Sequence, residues 1–221
     1  MAKKLLIFTV LVFSFAFASC KSNEEKAADR IRTELSKTLL DFESYEPIET
    51  TVTEASETAY SNLACIRLSE TIAAKISHAN ELLKESEDAL DYMRIWGPPT
   101  RYSSSYSDSQ FYKYQEKCKI LIDEAMAEKA EWIRLGLALQ DSIAKLDSTK
   151  VIGWEVLHRF RCKTKAGLPA ICDYRYILSP DFKNIILRQD MDDENYTLAR
   201  GYIQMAMLGE FSANPDEDAS N

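Results

Sequence analysis

Two long stretches, residues 54–96 and 110–146, place apolar residues at seven-residue spacing, and Gly97-Pro98-Pro99 stands between them. In the first, Cys65, Ile72, Ala79 and Met93 share one row, and Ile76, Leu83 and Leu90 share another offset by four. In the second, Phe111, Cys118, Ala125, Trp132, Leu139 and Leu146 share a row flanked by Tyr114, Leu121 and Leu135. Such spacing keeps one apolar seam along a helix. Gly-Pro-Pro cannot continue a helix, because proline lacks the N–H and fixes φ. Two helices joined by a short loop, here residues 100–109, must pack antiparallel. At about 40 residues each they run about 60 Å, and a hairpin of that length, residues 54–148, is expected to project beyond a compact body.

The rest of the chain changes period. Residues 153–163 alternate, with Trp154, Val156, His158, Phe160 and Cys162 on one face and Glu155, Arg159, Arg161 and Lys163 on the other. Period two marks a half-buried strand. Residues 164–167 read as a turn and 170–178 as the returning strand. Ser179-Pro180-Asp181 reads as a second turn and 182–188 as a third strand. Upstream, Ala27, Ile31, Leu35, Leu39 and Phe42 predict a helix over 24–42 that ends before Pro47, followed by a short strand at 48–52. Asp192-Asp193-Glu194 supplies a cap and dipole-matched acids for a last helix through Tyr196, Ala199, Ile203 and Met207. The predicted class is α+β: N-terminal helix and short strand, long antiparallel hairpin, β-meander of about three strands, final helix. A content of 46% hydrophobic and 10% aromatic residues excludes a disordered chain, and 6 Gly and 6 Pro are too few for a turn-dense all-β fold.

The N-terminus reads as an address. Lys3 and Lys4 precede an apolar run at 5–17, about 20 Å of helix and short of a bilayer core. It ends in Phe17-Ala18-Ser19-Cys20, which resembles a bacterial lipobox except that Phe17 stands where Leu is usual. The resemblance implies a cleaved signal peptide at 1–19 and lipid attachment at Cys20. The rival is an ordinary signal-peptidase site at Ala16-Phe17-Ala18. Loss of Lys3 and Lys4 takes the formal net charge from −8 to −10, which repels nucleic acid, so the membrane contact should be the lipid. Glu24-Glu25 is similar to the surface-export signal of Bacteroidetes-type lipoproteins, and surface and periplasmic placement both stay open. Ser44-Tyr45-Glu46-Pro47-Ile48 and Gly153-Trp154-Glu155-Val156-Leu157-His158-Arg159-Phe160-Arg161, with the turn at 178–182, resemble small Bacteroidetes-type lipoproteins of unknown function. That resemblance implies an outer-membrane lipoprotein of the cell envelope and no particular activity. The expected organisation is a leader, one α+β domain over 20–211 carrying the hairpin, and a disordered acidic tail at 212–221.

Four cysteines follow Cys20. Antiparallel helices separate Cys65 from Cys118 by about 30 Å, too far for a disulfide. Cys162 and Cys172 flank one turn and would face each other if strand pairing centred on Gly167; the alternative is that all four are buried thiols. His78 and His158 read as structural, His158 within reach of Tyr176. No nucleophile-elbow, phosphate-loop, dinucleotide or zinc spacing is present, and no cofactor or metal is expected. Residues 190–201 start like a calcium loop but carry Asn195 at the sixth position and Gly201 at the twelfth, where Gly and Glu are needed.

The segment between the long helices, RYSSSYSDSQFYKY, stands apart. Tyr and Ser dominate adaptable binding surfaces, because Tyr offers large amphipathic area at small entropy cost. Tyr102, Tyr106 and Tyr112 are the candidate partner-binding residues, against the reading that Tyr102 and Tyr106 fold back over the seam. The expected function is a lipid-anchored, non-enzymatic envelope protein that binds a protein or glycan partner. The alternatives are a carrier of an apolar ligand and an envelope hydrolase with a carboxylate site.

Overall fold

A computed structural model describes residues 21–211. The leader with Cys20 and the tail at 212–221 lie outside the described residues. The described chain contains helix α1 (Asn23–Thr38), a 3-10 turn (Phe42–Ser44), strand β1 (Glu46–Ser56), helices α2 (Leu63–Trp96) and α3 (Ser105–Ala144), strands β2 (Val151–Lys163), β3 (Pro169–Leu178) and β4 (Ile185–Asp190), and helix α4 (Glu194–Leu208). The class is α+β, as the periodicities predict. The chain divides into two compact units, one of residues 21–56 with Val151–Met191, the other of Glu57–Lys150 with the residues from Asp192 onward.

The first unit is a four-stranded antiparallel sheet in the order β1-β2-β3-β4, one strand more than the expected meander. The extra strand is β1, which is 11 residues long where the sequence suggested five. It pairs with β2 from Glu46 opposite Arg161 to Ser56 opposite Val151. Glu54, Ala55 and Ser56, expected to open the long helix, are therefore strand. Their helix propensity is weaker than the ladder offered by β2. The sheet's inner face is filled: Ala27, Ile31 and Leu35 of α1 pack on Val156, Phe160, Tyr176, Leu178 and Phe182. A capping box, Ser22 with Glu25, starts α1, and the helix stops at Thr38, short of the predicted 42. Leu39 turns extended, and Leu39 and Phe42 still pack against the core from outside the helix.

Two backbone positions fix the sheet. Gly153 has φ 150°, and a Cβ there would lie 1.9 Å from the Leu178 carbonyl oxygen, so only glycine fits. Phe182 has φ 59°, tolerated because its ring stacks on Trp154 at 5.4 Å while Trp154 Nε1 donates to the Pro180 carbonyl. This turn delays the last strand, which begins at Ile185 rather than 182.

The second unit is helical. Asn62 caps α2, accepting from the Ala64 and Cys65 amides, and Gly97 at φ 67° closes it. Along α2, Cys65, Ile72 and Ala79 are buried as the heptad row requires, continued by Ser86. The second row lies elsewhere: Leu82 and Ala89 are buried, whereas Leu83 is exposed. A straight helix drifts against a seven-residue repeat, which places the second row one position earlier, on Leu82 and Ala89. On α3, Cys118, Leu121, Ala125, Leu135 and Leu139 are buried as expected. The hairpin is not bare. Helix α4 packs on it through Ala199, Ile203 and Ala206. Phe211 seats its ring over Gly136, where a Cβ would lie 2.1 Å away. The caps of α4 are the expected Asp193, accepting from the Asn195 amide, and Gly209.

Candidate functional site

The tip of the hairpin differs from its expected form. Helix α3 begins at Ser105, five residues before the predicted start, because Ser104 caps it by accepting from the Ser107 amide. Tyr106 is therefore helical, as Tyr112 was expected to be, and only Tyr102 is in the loop. The serines hold the loop together rather than coat it. Ser103 Oγ accepts from the Thr100 amide at 2.9 Å and donates to Asp108 at 2.5 Å, and Ser107 Oγ donates to the Trp96 carbonyl at 3.1 Å. The last bond ties the start of α3 to the end of α2.

On this clasp the aromatic side chains stand outward. Tyr102 is 93% exposed, Tyr106 63% and Tyr112 57%. Tyr106 meets Trp96 edge to face at 5.5 Å, Tyr112 meets Phe111 the same way at 5.7 Å, and Tyr92 stacks on Tyr114 at 4.7 Å. Ile95, 73% exposed, adds an aliphatic side chain from the last turn of α2. The three candidate tyrosines thus lie on one short stretch of the hairpin, and Tyr102 does not fold back over the seam. Ile95 and Tyr92 belong to the same end and were missed, since they sit on positions the sequence gives to an ordinary helix face.

A second feature of the helical unit was also missed. A cleft of about 420 Å³ is lined by Glu70, Ser77, His78 and Glu81 of α2 and by Glu194 and Asn195 of α4. His78 Nδ1 lies 3.9 Å from Glu81 and its Nε2 lies 4.0 Å from Glu128 of α3, whose carboxylate is also 2.9 Å from Lys75 Nζ. Lys75 and Glu128 stand almost equidistant from the hairpin loop, so antiparallel register was the available signal. These distances make a charge network, not a coordination sphere. Among the described residues no group of three or more His, Cys, Asp or Glu is placed to hold a metal ion.

In the sheet unit His158 is 1% exposed and stands between two hydroxyls, Tyr45 Oη on Nε2 and Thr50 Oγ1 on Nδ1, each at 2.9 Å. Burial pushes its pKa down to about 4, so the ring is neutral. The expected partner Tyr176 does not reach it. Tyr176 pairs in register with Val156, two positions away, whereas Tyr45 comes in from the segment before β1. Tyr176 is fully buried with its hydroxyl unpartnered among the described residues, and burial raises its pKa. The carboxylates whose ionisation the fold clearly moves, Glu24, Glu131, Asp147 and Asp181, all move down, led by hydrogen bonds.

Cys65 and Cys118 are buried thiols. Cys162 and Cys172 are not joined by a bond, and their sulfurs lie 3.8 Å apart. Strand pairing centres on Ala166, one residue before the expected Gly167, with Lys163 opposite Pro169. Gly167 is the last residue of a three-residue loop and takes φ 75°, which sets this register. The two cysteines are consequently diagonal, not directly opposed. No helix of the described residues is long and apolar enough to cross a membrane. No protein-family model, curated protein or solved structure matches the chain, so its functional assignment rests on its own side chains.

Proposed function

We propose that this chain is a lipid-anchored envelope protein, held by an acylated Cys20, that binds a protein or glycan partner through the tip of its helical hairpin. The observation that carries the binding role is the exposure of Tyr102 in a loop clasped by its own serines, and of Ile95, Tyr106 and Tyr112 on the helices that flank it. Exposed aromatics on a preorganised loop lose little entropy on binding, and a cluster of them is costly to leave in water without a use. The filled inner face of the sheet gives the apolar-carrier alternative no support in that unit.

Two variants test the two halves of this reading. Cys20→Ala should move the protein from the envelope fraction to the soluble fraction; retention in the envelope without detergent contradicts the anchor. Replacing Tyr102, Tyr106 and Tyr112 together with Ser should lower binding to immobilised envelope proteins or glycans at least about tenfold, the loss of one or two aromatic anchors. Undiminished binding by a correctly folded triple variant contradicts the tip.

A further inference from the structure

We propose that Cys162 and Cys172 form a reversible dithiol–disulfide couple that exchanges with small disulfides, Cys172 attacking first and Cys162 resolving. Both side chains lie on the inner face of the β2–β3 hairpin, and their sulfurs are already in contact at 3.8 Å. Phe160 pairs with Cys172 and Cys162 with Ala170, which makes the cysteines diagonal neighbours. Diagonal positions stand about 7–8 Å apart at Cα, just beyond the roughly 7 Å that a disulfide spans without backbone movement, whereas directly opposed positions fit one comfortably. A bond made here must draw the strands together, and a bond under that load reopens readily. Exposure sets the order of attack: Cys162 is 7% exposed and packed in the core, while Cys172 is only half-buried.

The chemistry balances as thiol–disulfide exchange. The Cys172 thiolate attacks one sulfur of a small disulfide, that S–S bond breaks, and one thiolate leaves. The Cys162 thiolate then attacks the Cys172 sulfur and expels the second. Two protein thiols are oxidised to one disulfide, the reagent is reduced to two thiols, and the two protein protons end on the leaving thiolates.

The test uses the mature full-length chain with oxidised glutathione, followed by peptide mass spectrometry. Wild type should lose two hydrogens in a Cys162–Cys172 linkage, carry no lasting glutathione at either residue, and reopen in reduced glutathione. Cys162→Ser should trap one glutathione on Cys172, and Cys172→Ser should react at Cys162 at least about tenfold more slowly, as its burial requires. Phenylarsine oxide, which bridges two close thiols, should block the linkage in wild type without any substitution. Absence of the linkage, equal trapping in both variants, or a linkage that resists reduced glutathione overturns the proposal.

Discussion

The two units bury their interiors by opposite means. The sheet unit fills its core with large side chains: Phe160, Tyr176, Ile31, Leu35 and His158 are among the largest fully buried groups of the protein. The helical unit buries aliphatic side chains, Ile66, Ile72, Leu82, Leu121, Leu135 and Leu139, and sets small ones among them, Ala73, Ala79, Ala89, Ala125, Ser69, Ser86 and Gly136. Small residues let helix backbones approach, but each contributes little apolar area. Large residues on a sheet contribute far more area each and leave large voids when removed. The helical unit leaves Tyr102, Tyr106 and Tyr112 exposed at its tip and buries Phe211 beside Trp132, whereas the sheet unit stacks Phe42, Tyr45, His158, Phe160 and Tyr174 into one chain of ring contacts. The sheet unit thus gathers its rings in one stack, the helical unit spreads aliphatic and small side chains along its length, and the exposed tip tyrosines lie outside both cores.

Substitutions sharpen that contrast. Phe160→Ala should have the largest effect, about 3–5 kcal/mol, because a fully buried aromatic is lost from the centre of the ring stack. Urea denaturation followed by near-ultraviolet circular dichroism checks it; a loss below about 1 kcal/mol breaks the idea of a concentrated core.

Acid should act next. His158 is held neutral with a pKa of about 4, against 6.5 when unfolded. Between these values the unfolded chain binds more protons than the folded one, so stability falls as pH falls from 6.5 to 4 and is flat in this contribution outside that window. The full span is worth about 3 kcal/mol. His158→Gln should flatten that slope, measured by denaturation at several pH values; an unchanged slope assigns the acid sensitivity to other groups.

Gly136→Ala tests the seam of the helical unit. The added Cβ meets the Phe211 ring at 2.1 Å, and overpacking costs about 1–3 kcal/mol against about 1 kcal/mol gained in helix propensity. A small net loss is expected by thermal melting, and a gain means that Phe211 does not occupy the notch. The triple tyrosine variant should be the mildest, within about 0.5 kcal/mol of wild type, since Tyr102 and its neighbours are largely exposed. A larger loss would make the tip part of the core and weaken its reading as a binding surface.

The patterns legible in advance were those with local causes. The α3 row from Cys118 to Leu139, the alternation of β2, the Asp193 cap and the stop at Gly97 each follow from spacing or from one residue's backbone chemistry. The misreadings came from distant partners. Residues 54–56 carry helix formers and became strand because β2 offered a ladder. Leu83 was expected on the seam, yet the buried row runs through Leu82 and Ala89, one position earlier, because helix drift shifts which face meets the partner. The tip tyrosines were visible as composition, but their exposure was not, since it depends on serines that bond across the loop.

The sequence by itself determined two long helices broken at Gly97-Pro98-Pro99 and alternating strands after Lys150. Each depends on periods of two or seven or on a short contiguous motif. Only the tertiary structure decided that β1 completes a fourth strand, that Tyr45 rather than Tyr176 reaches His158, and that α4 covers the hairpin. It also decided that Cys162 and Cys172 meet on a diagonal. Those outcomes depend on strand register and on segments far apart in the chain, and a one-residue change in where a turn centres is enough to alter which side chains meet.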